Sequence, residues 1–507
     1  MSFKGYNQHQ MQLLPPSLEE LIPTGDPVRV VSAVVDLLNL KQVERSYHKT
    51  GCSAYHPRMM IKIIIYAYLR NTYSSRRIED FVANDVRFMW LAGMQRPDHN
   101  TINIFRSSKL NGTLKEIFAQ IVRMMVDEGL VSLERVYTDG TKIESAAGRY
   151  TFVWGKSVKK KEEKISAQIN ELWDYARQVT GDEMRDHTPI TSHEVTADKI
   201  ESLVGDIQAA LEGKSADKKV TMKLTRVKRE WKRQLEQAES DAVQIGDRGS
   251  FSRTDPDATF MRMKEDHMGN GQLKPAYNTQ ISVENGIVTN YTLHQTPSDT
   301  TTYPEHLEEH KRLYGAYPKE SIADAGYGSE ENYQFAEDRG ITPFVKYNYF
   351  HKEQKASRRD NPFVSENLHY DPDKECFYCP MGQRMERIGE QRRKTSTGYV
   401  QNITLYRAAR CAGCTLQGAC HKAAGDRVIE VNHNLKRHKA LVHDLLTSPE
   451  GLLHRSHRPA EVEQAFANLK SNKAFRRFLC RGLEKVSAEF GWLAIAHNIS
   501  KMAMQRA

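Results

Sequence analysis

Three carboxylates stand where an acidic side chain is not casually placed. Asp139 is at the centre of Val136-Tyr137-Thr138-Asp139-Gly140-Thr141-Lys142-Ile143. The apolar and β-branched residues of that stretch predict a short buried strand. A carboxylate inside such a strand costs desolvation unless a cation or hydrogen bonds compensate it. The alternative is a strand-end turn, since Asp-Gly is a common turn pair. Which reading holds depends on whether other carboxylates occupy comparable settings, and two do. Asp324 ends the strand-like Ser321-Ile322-Ala323 before the turn Ala325-Gly326-Tyr327-Gly328. Glu463 lies on the amphipathic helix Arg458–Lys470, where Val462, Phe466 and Leu469 mark the buried face. Glu463 sits at the edge of that face, with Lys470 two turns along on the same side. Two histidines, His267 and His294, flank strands and are within reach of such a site or serve structure alone.

A second group has different chemistry. Of seven cysteines, five fall between Cys376 and Cys420. Cys376-Phe377-Tyr378-Cys379 and Cys411-Ala412-Gly413-Cys414 are C-x2-C pairs, followed by Cys420 and His421. They resemble the two knuckles of a zinc ribbon with a longer spacer than usual. Cys376, Cys379, Cys411, Cys414 and Cys420 are therefore candidate Zn²⁺ ligands. With His421 they exceed the four a tetrahedral site takes, so at least one is surplus. The competing reading is a set of free thiols in a small subdomain.

The elements that must position these residues follow from periodicity. Residues 1–130 read as helical throughout, with a core helix at His56–Leu69, an N-capped Ser74–Phe81 and an Asp98-capped helix through Arg106. Short helices in succession, with Arg76, Arg77, Arg106 and Lys109 near their exposed ends, resemble a helix-turn-helix arrangement. An ordinary helical bundle with solvated basic faces has the same pattern. Residues 131–156 hold the Asp139 strand, and 157–245 form a charged, helical, partly coiled excursion. Its lysine clusters are a solvated face or a phosphate contact. Strands resume in 246–350: Ala276–Val283, the turn Glu284-Asn285-Gly286, Ile287–Leu293, then helix, the Asp324 strand, helix and Ile341–Tyr347. That order is a mixed α/β sheet. Residues 351–428 are the Cys-rich insertion with a strand at Asn402–Tyr406, and 429–507 return to helix, with Arg476 and Arg477 adding basic density.

Composition sets the bounds. A chain of 507 residues is too long for one simple core. Lys and Arg exceed Asp and Glu by 73 − 64 = 9, a balance compatible with a polyanionic partner. No apolar run approaches the roughly 20 residues of a membrane span, and Met1–Pro15 lacks a signal peptide's apolar core. A cytoplasmic protein is expected.

The same residues carry a family resemblance over nearly the whole chain and in order. Its motifs are Tyr6-Asn7-Gln8 with Leu13–Leu18, Tyr55–Met60, Tyr73–Glu79, Pro97–Ile102, Tyr137–Glu144, Asp324–Gly328 and Val462–Phe466 through Phe475-Arg476-Arg477-Phe478. The chain resembles an insertion-sequence transposase of the DDE class with an InsH-like N-terminal helical domain. The resemblance implies an RNase H-like α/β core in which Asp139, Asp324 and Glu463 bind two Mg²⁺ (or Mn²⁺) ions. It further implies cleavage and strand transfer on double-stranded DNA, with recognition of transposon ends by the helical domain. A homodimer in the active complex and a bacterial, nucleoid-associated location are also implied. The family's acidic helix often reads Tyr-x2-Arg-x3-Glu-x6-Lys. Glu463 and Lys470 fit its last part, while Arg458 is one residue too far away and no Tyr stands in place. Glu461 is the alternative Glu, but Asn468 then occupies the Lys position.

Overall fold

The computed structural model describes residues 16–47, 53–110, 112–180, 196–212, 230–263 and 271–506, with positions 8, 191, 222 and 224 besides. His267, most of residues 1–15 and 213–229, and nearly all of the break before Thr196 lie outside the described residues.

The N-terminal part is helical: α1 Pro27–Asp36, α2 Lys41–Arg45, α3 Pro57–Leu69, α4 Ser75–Asn84, α5 Val86–Leu91, α6 His99–Ile104 and α7 Leu114–Asp127. Asp26, His56, Asp85 and Asp98 each accept a first-turn N–H with the side chain, which satisfies donors a helix start leaves open. Residues 16–25, inside the stretch read as helical throughout, form turns and not a helix. At Ser17 the side chain and Glu20 exchange reciprocal hydrogen bonds with each other's N–H groups, both 3.3 Å, and this closes a turn only.

Next come β1 Arg135–Glu144 and β2 Phe152–Trp154, then α8 Gly155–Thr180, α9 Ala197–Leu211 and α10 Lys232–Ile245. These three helices bury Ile169, Leu172, Trp173, Val204, Ile207, Trp231 and Leu235 among themselves. The excursion thus has its own apolar core beside its charged faces. The chain returns through β3 Ser250–Ser252, β4 Thr259–Arg262, β5 Leu273–Glu284 and β6 Ile287–His294. Asn285 and Gly286, both at positive φ (54° and 72°), form the two-residue hairpin loop between β5 and β6. Helix α11 Tyr303–Tyr314, β7 Glu320–Ala323, α12 Glu330–Asp338 and β8 Thr342–Val345 complete the core sheet.

In that sheet β1 is central. It runs antiparallel to β5 and parallel to β7, which is parallel to β8; β5 pairs along its other edge with β4 and then β6. A β5–β6 hairpin on one side of β1 and two parallel strands on the other is the mixed α/β, RNase H-like arrangement expected. A second, five-stranded sheet is formed by β9 Tyr370–Asp371, β10 Cys376–Tyr378, β11 Arg384–Lys394, β12 Val400–Ala408 and β13 Val428–Val431. The chain ends in α13 His433–Thr447, α14 Pro449–Arg458, two π-turns (Pro459–Glu463 and Asn468–Asn472) around Gln464–Ala467, and α15 Leu483–Arg506.

One continuous apolar core runs from α1, α3 and α7 through the six-stranded sheet to α15. The N-terminal helices are therefore not a separate body: the Trp492 indole of α15 donates to the Arg106 carbonyl at 3.1 Å. Among the described residues no helix is long and apolar enough to cross a membrane.

Candidate active site

Asp139 is within β1, not at a turn. It pairs with Ile281 of β5, and the ladder between β1 and β7 ends two residues before it, at Tyr137. The parallel register pairs Tyr137 with Ile322. Two residues further along each chain are Asp139, still in β1, and Asp324, the first residue past β7, so the register carries the two carboxylates to one level at the end of β7. A single guanidinium faces both. Arg458 Nη2 is 3.4 Å from Asp139 Oδ1 and 3.8 Å from Asp324 Oδ2. The Asp139 and Arg458 side chains are 10% and 11% exposed, that of Asp324 42%. The pair is thus screened from water on the Asp139 side and open on the Asp324 side. Gly140 N–H donates to Asp139 Oδ1, and Gly326 N–H to Asp324 Oδ1, each at 2.8 Å.

Arg458 is aimed here by its helix. Pro459 has no N–H and its ring crowds the carbonyl four residues back, and at that point α14 widens into the Pro459–Glu463 π-turn. Such π-turns accommodate an irregular residue without ending the helix. Val462, Phe466 and Leu469 are buried as the periodicity required. Glu463 is exposed, whereas Glu461 Oε2 accepts from Gly286 N–H at 2.8 Å and ties the turn to the β5–β6 hairpin. Lys470 is half-buried in the second π-turn.

Sequence reasoning missed a third aspartate beside this pair. Asp299 accepts from Lys142 Nζ (3.0 and 3.2 Å), Asn278 Nδ2 (2.8 Å) and Gln280 Nε2 (3.1 Å). This network explains Gly140. A Cβ there would stand 2.4 Å from Gln280 Nε2 and 2.9 Å from Asp299 Oδ1, so a larger residue must push these two side-chain ends out of the network. Tyr327, after Asp324, is buried and donates to Gln280 Oε1. Burial, with the charges of Asp139, Asp299 and Asp324, pushes its phenol well above the ordinary range, and Arg458 opposes the shift. The signal available in sequence was Asp299 ahead of Thr300-Thr301-Thr302, a cap-like position; its Lys142 partner on β1 was not visible.

Among the described residues, the one group of three whose ligand atoms all lie within 4.8 Å of each other is elsewhere: Glu320, Glu450 and His454. That group could hold a metal ion, but Arg135 Nε already sits 2.6 Å from Glu320 Oε2. Asp139, Asp324 and Glu463 do not form such a group. The structure brings Asp139, Asp324 and Arg458 together, and leaves Glu463 on the exposed side of its turn.

The basic residues divide. Arg76, Arg77 and Lys109 are exposed, with Arg77 over the Phe81 ring and Lys109 over that of Tyr47. Arg106 is not at an exposed helix end. It is 4% exposed, donates to the Tyr73 carbonyl and to Asn103 Oδ1, and feels the charge of Glu489. Sequence could not anticipate this, because apart from Asn103 its partners come from α15 and from the loop before α4. Arg476 is exposed. Arg477 Nε and Nη2 donate to the Ser145 and Ala147 carbonyls, each at 2.9 Å, and so clamp the segment after β1. His294 is buried, bonded to Thr292 and 3.2 Å from Glu305, a structural placement. All six described cysteines are free thiols. Cys379, Cys411, Cys414 and Cys420 line one small cavity with His421, and Cys376 does not.

Comparison with known families gives two matches. Residues 378–503 match a family model described as a transposase DDE domain, and residues 16–108 one described as a transposase domain, DUF772. The first spans Arg458, Glu463 and Lys470 and the cysteines from Cys379 on, but not Asp139 or Asp324. No curated protein and no solved structure matches the chain.

Proposed function

We propose that this chain, which its two family matches support as an insertion-sequence DDE transposase, binds the terminal inverted repeats of its element and cuts and joins DNA by metal-dependent phosphoryl transfer. The observation that carries the reading is the register of β1 and β7, which sets Asp139 and Asp324 on one level beneath one arginine. Carboxylate oxygens are the donors Mg²⁺ takes, and it needs few of them. Glu463 completes the set when the Pro459–Glu463 turn presents it to the pair. Two Mg²⁺ or Mn²⁺ ions held there would polarise the attacking and leaving oxygens of an in-line displacement.

The chain's own residues divide the remaining work. Arg458 balances the paired carboxylates and turns its fork to a phosphate when DNA is bound. Lys470 supplies a point charge to the same backbone. Water attacks the phosphodiester at the transposon end and the 3′-oxygen leaves as a free 3′-OH. That hydroxyl then attacks a target phosphodiester, forming one P–O bond as another breaks. Residues 1–130 read the transposon end, and exposed Arg76, Arg77, Lys109 and Arg476 contribute salt-dependent phosphate affinity. Residues 131–156, 246–350 and 429–507 make up the catalytic core, with 157–245 and 351–428 as insertions, the latter carrying a structural Zn²⁺. Paired ends call for a homodimer, working on DNA in the bacterial cytoplasm.

The test is purified protein with Mg²⁺, a labelled transposon-end duplex and a target plasmid. Joined products support the proposal. Cleavage without joining points to a nuclease, and binding alone to an inactive regulator. Cleavage unchanged in Asp139→Ala or Asp324→Ala would sink the site assignment.

A further inference from the structure

We infer that Cys379, Cys411, Cys414 and Cys420 are the four ligands of one Zn²⁺ at the end of the β9–β13 sheet, and that Cys376 and His421 are not ligands. This deepens the structural zinc proposed above and is independent of the phosphoryl-transfer reading. The sheet itself explains how cysteines 411 − 379 = 32 positions apart meet. Strand β11 pairs antiparallel with β10 on one side (Phe377 with Met385) and with β12 on the other (Met385 with Ala408). Strands β10 and β12 therefore leave the sheet at the same end, where Cys379 and Cys411 follow them.

Each then begins a tight turn. Gly382 N–H donates to the Cys379 carbonyl at 2.8 Å and Cys414 N–H to the Cys411 carbonyl at 3.1 Å. Gly382 and Gly413 take positive φ values of 75° and 76°, which glycine adopts without the cost an L side chain bears. The short helix Gln417–Cys420 brings the fourth thiol to the same cavity.

Two contacts reach the sulfurs from behind. Arg427, 7% exposed, gives its backbone N–H to Cys411 Sγ at 3.3 Å and its guanidinium Nη1 to Cys420 Sγ at 3.0 Å. Donors of this kind orient and tune a ligand from behind. His421 lines the same cavity, with both ring nitrogens buried and without a hydrogen-bond partner; four thiolates already fill a tetrahedral zinc shell, which makes the imidazole the donor in excess. Cys376 is fully buried, in β10 next to Phe377. Phe377 faces the small apolar core with Cys411 and Tyr406, so by strand alternation Cys376 points to the other face. No three of the cavity donors lie within 4.8 Å of one another, whereas sulfurs about 2.3 Å from one Zn²⁺ are closer. Binding must draw the Cys411–Cys414 turn and the Cys420 helix inward.

Metal content decides this. The full-length chain, purified without chelator, should carry one zinc per chain by plasma mass spectrometry. X-ray absorption at the zinc edge of the same sample should show four sulfur ligands and no nitrogen. Cys376→Ser and His421→Ala should retain the zinc; Cys379→Ser, Cys411→Ser, Cys414→Ser and Cys420→Ser should each lose most of it. A zinc-free wild type, a nitrogen ligand at the edge, or zinc lost with Cys376→Ser would each overturn the assignment. The edge measurement needs no variant, so a variant that fails to fold does not blunt the test. DNA cleavage that survives zinc loss, or zinc retained by an inactive Asp139→Ala, separates this inference from the transposition reading.

Discussion

The aspartate site and the thiol cavity are both places where an arginine meets paired ligand-type side chains, yet the two are built in opposite ways. At the first, Arg458 and two carboxylates come from strands and a helix far apart in sequence, and the rigid register of β1 against β7 sets their spacing. At the second, four thiols come from turns at one end of a small sheet, and Arg427 reaches their sulfurs from the chain just after Cys420. The first arrangement is preorganised on strands inside a large apolar core; the second depends on loops beside a small one. A site for changing charge and departing products benefits from hard, exchangeable oxygen donors. A site for holding loops benefits from soft ligands that close completely. Changes at the first should cost chemistry, and changes at the second should cost local order.

The largest expected effect tests that division directly. Asp139→Ala and Asp324→Ala should each reduce end cleavage by about 10³-fold or more, the scale of losing a principal electrostatic element of catalysis. Both should leave zinc content and end binding within about twofold, read by metal analysis and gel shift. A fall in zinc content alongside activity would show that the two sites are coupled and break the contrast.

The next effect is on stability and is carried mainly by buried histidines of the large core. Burial pushes His310 and His497 down to about 4, and pushes His306 down as well. Unfolded imidazoles titrate near 6.5. Between those values the unfolded chain binds protons that the folded chain does not. Stability is therefore fully present above about pH 6.5 and is lost as pH falls toward 4. By pH 5.5 His310 and His497 should each have removed about 1.4 kcal/mol. Urea midpoints at pH 7.5 and 5.5 check the sign, and a midpoint that rises on acidification would refute it.

How much of this was legible in the sequence depends on the range of the interaction. The Asp139 strand, the Asp324 strand end and the Val462–Leu469 face were readable because period and residue type are local properties. The hairpin at Asn285-Gly286 was readable because only a few residues tolerate its backbone. Asp299 was not, since its role is set by Lys142, Asn278 and Gln280, more than a hundred positions away in the first case. Arg106 misled for the same reason: a basic residue near a helix end looks solvated until α15 covers it. The spacing of Arg458 departs from the family's acidic helix, but a π-turn after it changes the residue count per turn. Geometry, not spacing, puts its guanidinium on the aspartates. The choice among five cysteines required the parallel exit of β10 and β12, which no local pattern carries.

A pair of glycine substitutions sharpens the comparison at smaller scale. Gly140→Ala places a methyl against the side-chain ends of Gln280 and Asp299. Overpacking of this kind costs about 1–3 kcal/mol, and we expect the lower half of that range, because the neighbours are side-chain ends that can swing aside at the cost of their hydrogen bonds. Cleavage should fall with it, since Lys142 and Gln280 must shift beside Asp139. At the other site nothing lies within 4 Å of a Cβ on Gly413, and only its φ of +76° resists a side chain. Gly413→Ala should cost about 1 kcal/mol, confined to the Cys411–Cys414 turn. Its measurable consequence is faster zinc release to a chromophoric chelator at unchanged global urea midpoint. If Gly413→Ala instead lowers the global midpoint as much as Gly140→Ala does, the thiol turn is integral to the main core and the two sites are not built on different terms.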